Sequence, residues 1–238
     1  MIYVEILAGG KGNRFTNAEM PKQFLNLGTK PIIIHTIEQF LYHDKVDKII
    51  VCCIKEWEEH LKNILEVHLK DNLENIAVVS GGKDRTDSIL NGCEFIKKEY
   101  GINDNDIVIM HDAVRPFVSY RIITDNINAM ENYSGADTVV PAIDTIVNSK
   151  IGEIIDNIPL RDELYYGQTP QTFKLKEIME AYKNIKESDK DILTDACKVM
   201  LMNKGKVKLV GGEYYNIKIT NIYDLKLANA ILESELNI

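Results

Sequence analysis

Ile2-Tyr3-Val4-Glu5-Ile6-Leu7-Ala8-Gly9-Gly10-Lys11-Gly12-Asn13-Arg14 opens the chain with a short apolar run that breaks into a glycine-rich stretch. A run of this length ending in turn residues predicts a buried strand over Ile2 to Leu7 and a loop from Ala8 to Gly12. Ala8, Gly9, Gly10 and Gly12 would let consecutive backbone N–H groups turn toward an anion with no side chain in the way, and phosphate is the natural guest. A plain flexible turn explains the glycines equally well. Arg14 and then Lys22, in Pro21-Lys22-Gln23, add cations just beyond them and favour a triphosphate. Phe15 stands where a dinucleotide fingerprint needs its third small residue, and Gly12 follows Lys11 where a P-loop needs Ser or Thr.

Outward from this stretch the pattern alternates. Ile32 to Phe40 follows Pro31 as a helix, and Lys48 to Ile54 is a β-branched strand. A helix over Trp57 to Leu69, a strand over Ile76 to Val79, a helix over Thr86 to Tyr100 stopped by Gly101, and a strand over Asp106 to Met110 come next. Such alternation predicts an α/β fold, a Rossmann-like and mainly parallel sheet flanked by helices. Ala136 to Pro141, Asp144 to Val147 and Glu153 to Ile158 then look like short strands without helices, a β-rich excursion over about 141–168. Helices return at Lys174 to Ile185 and Ile192 to Asn203, strands fall near Val207 and Ile217, and a last helix runs from Tyr223 to about Glu233. No linker or internal repeat is visible, so a single domain over 1–238 is expected.

Bulk properties agree. The 238 residues are 45% hydrophobic and 27% charged, which excludes disordered and fibrous classes. With 28 basic against 36 acidic residues the net charge is −8, so the general basic excess of nucleic-acid or anionic-membrane binders is missing. Cys52, Cys53, Cys93 and Cys197 show no CxxC spacing and read as reduced, buried thiols. The N-terminus has no basic region before its apolar run, and no run reaches the roughly 18 residues of a spanning helix; a cytoplasmic protein is expected.

Two further stretches carry chemistry. Ser80-Gly81-Gly82-Lys83-Asp84-Arg85-Thr86-Asp87-Ser88 sits where a strand hands over to a helix, at the sheet edge where ligands of open α/β folds bind. Thr86 also suits a helix cap. Met110-His111-Asp112-Ala113-Val114-Arg115-Pro116-Phe117 ends the next strand with an acid, and Asp112 is the best Mg²⁺ candidate in the chain. His111 reads better as a packed residue than as a ligand. His60 and His68 are too far apart on one helix to share a zinc ion, and there is no G-x-S-x-G elbow.

LAGGKGNRF, PKQF, GGKDRTDSI, HDAVRPF, QTPQTF, TDACK and NIKIT-x-x-YDL occur in this order along the chain. Together they resemble the cytidylyltransferases that make CDP-polyols, a group with ribitol-5-phosphate and methylerythritol phosphate branches. The resemblance implies that Arg14, Lys22 and Lys218 act on the CTP phosphates and that Asp112 binds Mg²⁺. It implies that Gly82 and Ser88, with Arg85 nearby, serve the nucleotide. Arg115, Asp144, Thr145 and Arg161 would line the acceptor-phosphate side. In the family the excursion is an arm that hooks a second subunit, so a homodimer is expected in which Thr145 and Arg161 serve the partner's site.

One departure bears on the acceptor. The methylerythritol branch typically carries Arg-Asp-Thr in the arm, whereas this chain has Ile143-Asp144-Thr145, and an isoleucine cannot contact a phosphate. The expected acceptor is therefore ribitol 5-phosphate, with methylerythritol phosphate or another polyol phosphate as alternatives. A nucleotide-dependent oxidoreductase is the distant alternative, and it lacks the third glycine. A catalytically dead nucleotide-binding module would be expected to lose Lys22, Lys218 or Asp112, and all three are present.

Overall fold

A computed structural model describes residues 1–10, 20–186, 189 and 195–235. Strands β1 (Ile2–Ala8), β4 (Lys48–Cys53), β5 (Ile76–Ser80) and β6 (Ile107–Asp112) pair in parallel in the order β5-β4-β1-β6. Strands β7 (Gly135–Pro141), β8 (Tyr165–Lys174) and β9 (Val207–Gly211) extend this sheet to seven, in the order β6-β8-β7-β9. β8 alone runs antiparallel to its neighbours. A two-stranded hairpin, β2 (Asn26–Leu27) with β3 (Lys30–Pro31), stands apart. The mainly parallel α/β sheet expected from the alternation is present.

Period-two side-chain alternation divides the core between the two faces. Val4 and Ile6 of β1 and Ile49, Val51 and Cys53 of β4 point to one face. There they meet Ile33, Ile37 and Phe40 of α1 (Ile32–Leu41), Leu61 and Leu65 of α2 (Glu58–Leu69) and Ile123 of α4 (Tyr120–Ala129). Tyr3, Ile50 and Cys52 point to the other. They pack on Ile89, Cys93 and Ile96 of α3 (Arg85–Tyr100), Ile178 of α5 (Leu175–Lys183) and Val199 of α6 (Ala196–Met202). All four cysteines are free and buried. Helix α7 (Ile222–Glu235) covers the β2–β3 hairpin, where Gly28 takes φ 59° and a Cβ would meet Leu232 at 2.9 Å.

The middle of the chain departs from its sequence reading. Asp144 to Val147 and Glu153 to Ile158 are not strands: segment 142–164 holds one isolated bridge, Asn148 with Asn157, and a single 3-10 turn at Arg161–Glu163. Short apolar runs mimic strands by composition but make no ladder here. Tyr165 to Gly167, within the expected excursion, pair with β7 as the start of β8. No strand forms at Ile217, whose neighbour Ile219 instead donates its N–H to the Val114 carbonyl, 2.9 Å. α4 and β8 were not expected at all. β8 lacks an alternating pattern because six of its residues in a row, Gln168 to Phe173, are buried. Arg14, Gly12 and part of the helix expected over Ile192 to Asn203 lie outside the described residues.

Candidate active site

Between β1 and β6 the strand order reverses, β4 and β5 lying to one side and β6 to the other, and ligands of open α/β sheets bind at such a point beyond the strands' carboxyl ends. A cavity of about 1090 Å³ opens there. It is lined by Ala8, Gly9 and Gly10 after β1, by Lys22 and Gln23, by Gly81 to Arg85 with Asp87 and Ser88, by Asp112 to Val114 after β6, and by Lys218.

Each wall has a physical fastening. The buried Gln23 donates its amide N–H to the Ala8 carbonyl at 2.8 Å and reaches the Gly10 carbonyl at 3.5 Å, so the end of β1 is braced by a residue the sequence reading passed over beside Lys22. On the opposite wall Gly81 N donates to the Cys53 carbonyl at 2.6 Å, and Gly82 N to Ser88 Oγ at 3.0 Å. Asp84, and not Thr86, caps α3 by accepting from Asp87 N at 2.8 Å. A Cβ on Gly82 would lie 2.0 Å from that of Asp87, so only glycine fits. Ser88 Oγ also donates to the Asp84 carbonyl at 2.8 Å, which makes this side chain a staple of its own loop.

Asp112 closes the floor. Its Oδ1 takes Arg85 at 2.7 Å, and its Oδ2 takes Lys218 at 2.9 Å and Arg115 Nε at 3.3 Å. Burial, the largest single effect, would raise this carboxyl's pKa, but Arg85, Lys218 and Arg115 together outweigh it and hold the group far below the usual carboxylate range. Three cations against one carboxylate leave a net of two positive charges at the floor, which suits a polyphosphate. Arg115, expected on the acceptor side, is buried and spends its guanidinium on Asp112 and on the Asn216 carbonyl, 2.9 Å.

Behind Asp112 the polar groups form an ordered chain. His111 Nε2 meets the Arg115 carbonyl at 3.0 Å; a carbonyl only accepts, so Nε2 carries the proton. Nδ1 therefore accepts from the Thr169 hydroxyl at 3.0 Å, and Thr169 Oγ1 accepts from Asp112 N at 3.1 Å. Burial lowers the His111 pKa to about 4, which keeps the ring neutral and this tautomer fixed. His111 is thus the packed, backbone-bonded residue the sequence suggested.

The site brings together Ala8, Gly9, Gly10, Lys22, Gly82, Arg85, Ser88, Asp112 and Lys218. It does not include Asp144, Thr145 or Arg161. These stand on the exposed arm, with Arg161 3.6 Å from its neighbour Asp162. Among the described residues no group of three or more His, Cys, Asp or Glu is placed to hold a metal ion.

The 2-C-methyl-D-erythritol 4-phosphate cytidylyltransferase (IspD) family matches residues 2–234. The chain belongs to this family. Among solved structures it is similar to 4-diphosphocytidyl-2C-methyl-D-erythritol synthase from Anaerococcus prevotii, at 30% identity and TM-score 0.79 over 98% of this chain and 96% of that one. It is also similar to the Francisella tularensis 2-C-methyl-D-erythritol 4-phosphate cytidylyltransferase, at 29% identity and TM-score 0.79 over 96% and 98%. The Thermus thermophilus enzyme of the same name follows at 25% and 0.74 over 97% and 98%. This IspD-type chain is a CTP-dependent nucleotidyltransferase, which removes the oxidoreductase alternative. Among its described residues no helix is long and apolar enough to cross a membrane.

Proposed function

We propose that the protein transfers CMP from CTP to the phosphate of an acyclic polyol phosphate, releasing pyrophosphate and forming a CDP-alcohol. The observation that carries this is the convergence of Arg85, Arg115 and Lys218 on Asp112 at the floor of the switch-point cavity. A phosphate monoester is already an anionic nucleophile, so no general base is needed. One of its oxygens attacks the α-phosphorus in line; the new P–O bond forms as the bond to the bridging α,β-oxygen breaks, and the electron pair leaves on pyrophosphate. Lys22 and Lys218, at positions fixed before the reaction begins, neutralise the charge that builds on the α-phosphoryl group and the leaving group, and Arg14, which lies outside the described residues, is proposed to join them. The backbone of Gly9, Gly10 and Gly81 to Lys83 holds the nucleotide, with Gly82 and Ser88 on the cytosine side.

Asp112 is one ionised carboxylate at the cavity floor with both oxygens on cations, so Mg²⁺ would fit there only by replacing Arg85 or Lys218 on it and taking most of its ligands from the substrate phosphates, not as an all-protein cage. Bound there, Mg²⁺ would supply further charge neutralisation on the phosphates. Arg85 and Lys218, now on Asp112, would then turn to the nucleotide.

For the acceptor, the family and its solved members support 2-C-methyl-D-erythritol 4-phosphate. One observation favours a second reading, D-ribitol 5-phosphate: Ile143, on the arm proposed to serve the acceptor, is 60% exposed and offers no charge to a phosphate. Val147, Ile151, Ile154, Ile155, Ile158 and Leu160 on the same segment are exposed as well, an apolar set expected to be covered by a second subunit. We therefore propose a homodimer in which Thr145 and Arg161 reach the partner's cavity, with Asp144 beside them. The acceptors are separated by measuring kcat/KM for each with CTP and Mg²⁺. A preference of at least tenfold for methylerythritol phosphate removes the ribitol reading, and the reverse removes the other. Turnover of neither refutes both.

A further inference from the structure

Lys218 has no regular element beneath it. The segment Asn216 to Ile219 is neither helix nor strand, and a lysine side chain on an irregular backbone must be rooted by specific contacts if its ammonium is to meet a developing charge. The segment has two buried anchors, one on each side of Lys218. Downstream, fully buried Ile219 donates its N–H to the Val114 carbonyl, immediately beyond Asp112 and Ala113. Upstream, Asn216 is also fully buried; its amide N–H groups reach the Thr169 carbonyl at 2.9 Å and Gln168 Oε1 at 3.2 Å, and its own carbonyl accepts from Arg115 at 2.9 Å. Thr169 holds Asp112 N, and Arg115 holds the Asp112 carboxylate. Asn216 therefore ties three separated stretches, the end of β6, the start of β8's buried run and the root of Lys218, into one closed loop around the cation cluster.

We propose that Asn216 is a positioning residue for the transfer reaction, setting the place of the Lys218 ammonium against Asp112 and the nucleotide phosphates. This deepens the proposed function and rests on it. An aspartate carboxylate, though nearly isosteric, would turn an oxygen toward the two acceptors that the amide now serves and could make neither of the two donations.

The test is a double-mutant cycle with Asn216→Ala, Lys218→Ala and their combination, reading kcat, KM for CTP and melting temperature. A misplacement on the order of 1 Å costs about 10²-fold in rate. Asn216→Ala is accordingly expected to lower kcat about 10- to 100-fold with KM for CTP changed less than about threefold. In the Lys218→Ala background the same substitution should cost under about twofold, because the group it positions is gone. Multiplying losses, or a loss carried by KM with kcat intact, would overturn the proposal. Should Asn216→Ala fail to fold, Asn216→Ser, which keeps one donor, takes its place in the cycle with the same criteria. Should the wild type turn over neither acceptor, the function reading fails separately, and crystal structures of the wild type and of Asn216→Ala decide: a Lys218 ammonium displaced by about 1 Å or more supports the positioning role, and an unmoved one refutes it.

Discussion

At the scale of single residues, two carboxylates differ by what surrounds them. Asp112 is held ionised by Arg85, Arg115 and Lys218. Asp112→Asn would leave three cations around a neutral amide. It should cost about 2 to 3 kcal/mol, below the range for a fully buried pair because Arg85 and Lys218 keep partial access to water. Pyrophosphate should restore the melting temperature of this variant more than that of the wild type, and an equal effect on both would show that the cluster does not read phosphate. Glu5, on the central strand, is fully buried with neither carboxylate oxygen accepting an N–H or O–H, and burial pushes its pKa up to about 8 against the smaller opposing effects of a hydrogen bond from the Cys93 thiol and of the Arg85 charge. The folded protein thus holds one proton more than the unfolded chain between the ordinary glutamate range and pH 8. Stability falls as pH rises through that window and levels off above it. Glu5→Gln removes this slope, so its gain in melting temperature should grow from pH 5 to pH 8; a gain independent of pH would contradict the assignment.

At the scale of elements, the α3 entry is a strand-to-helix turn built around one glycine. Gly82→Ala drives a methyl group against Asp87, and relief requires moving either the loop or the first turn of α3. We expect a stability loss of about 1 to 3 kcal/mol and a larger proportional loss of CTP affinity than of stability, measured by calorimetry beside thermal melting. Unchanged CTP affinity would remove this loop from the nucleotide site. Elements of this kind were legible in the sequence wherever periodicity met punctuation: β1, β4, β5, β6 and the helices between them appear close to their expected bounds. β8 escaped because a strand buried along most of its length carries no alternation, and its Gln168, Thr169 and Gln171 look like loop residues until the hydrogen bonds they make are seen. The arm misled in the opposite sense, since β-branched runs such as Ile154-Ile155 have strand composition without a partner strand. Of the site, the glycines and the cations were visible by residue type, whereas Gln23 and Asn216 act through amides facing carbonyls, a role that no spacing announces.

At the scale of the whole molecule, one sheet gathers the nucleotide side of the site and leaves the proposed acceptor side, Asp144, Thr145 and Arg161, on an exposed arm away from the cavity. Completion by a second copy makes a definite demand. Mixing an Arg161→Ala chain with a Lys22→Ala chain should restore about a quarter of wild-type activity, since half of the dimers are mixed and one of the two sites in each is intact. No recovery despite heterodimer formation would place Arg161 in its own chain's site. The central claim, CMP transfer from CTP to a polyol phosphate, is tested most directly by phosphorus NMR of a reaction containing CTP, Mg²⁺ and either acceptor. The expected result is one pyrophosphate for each CDP-alcohol formed, with both signals falling together by about 10² or more in Lys218→Ala. Pyrophosphate accompanied by free CMP, or no new phosphodiester signal with either acceptor, would contradict it.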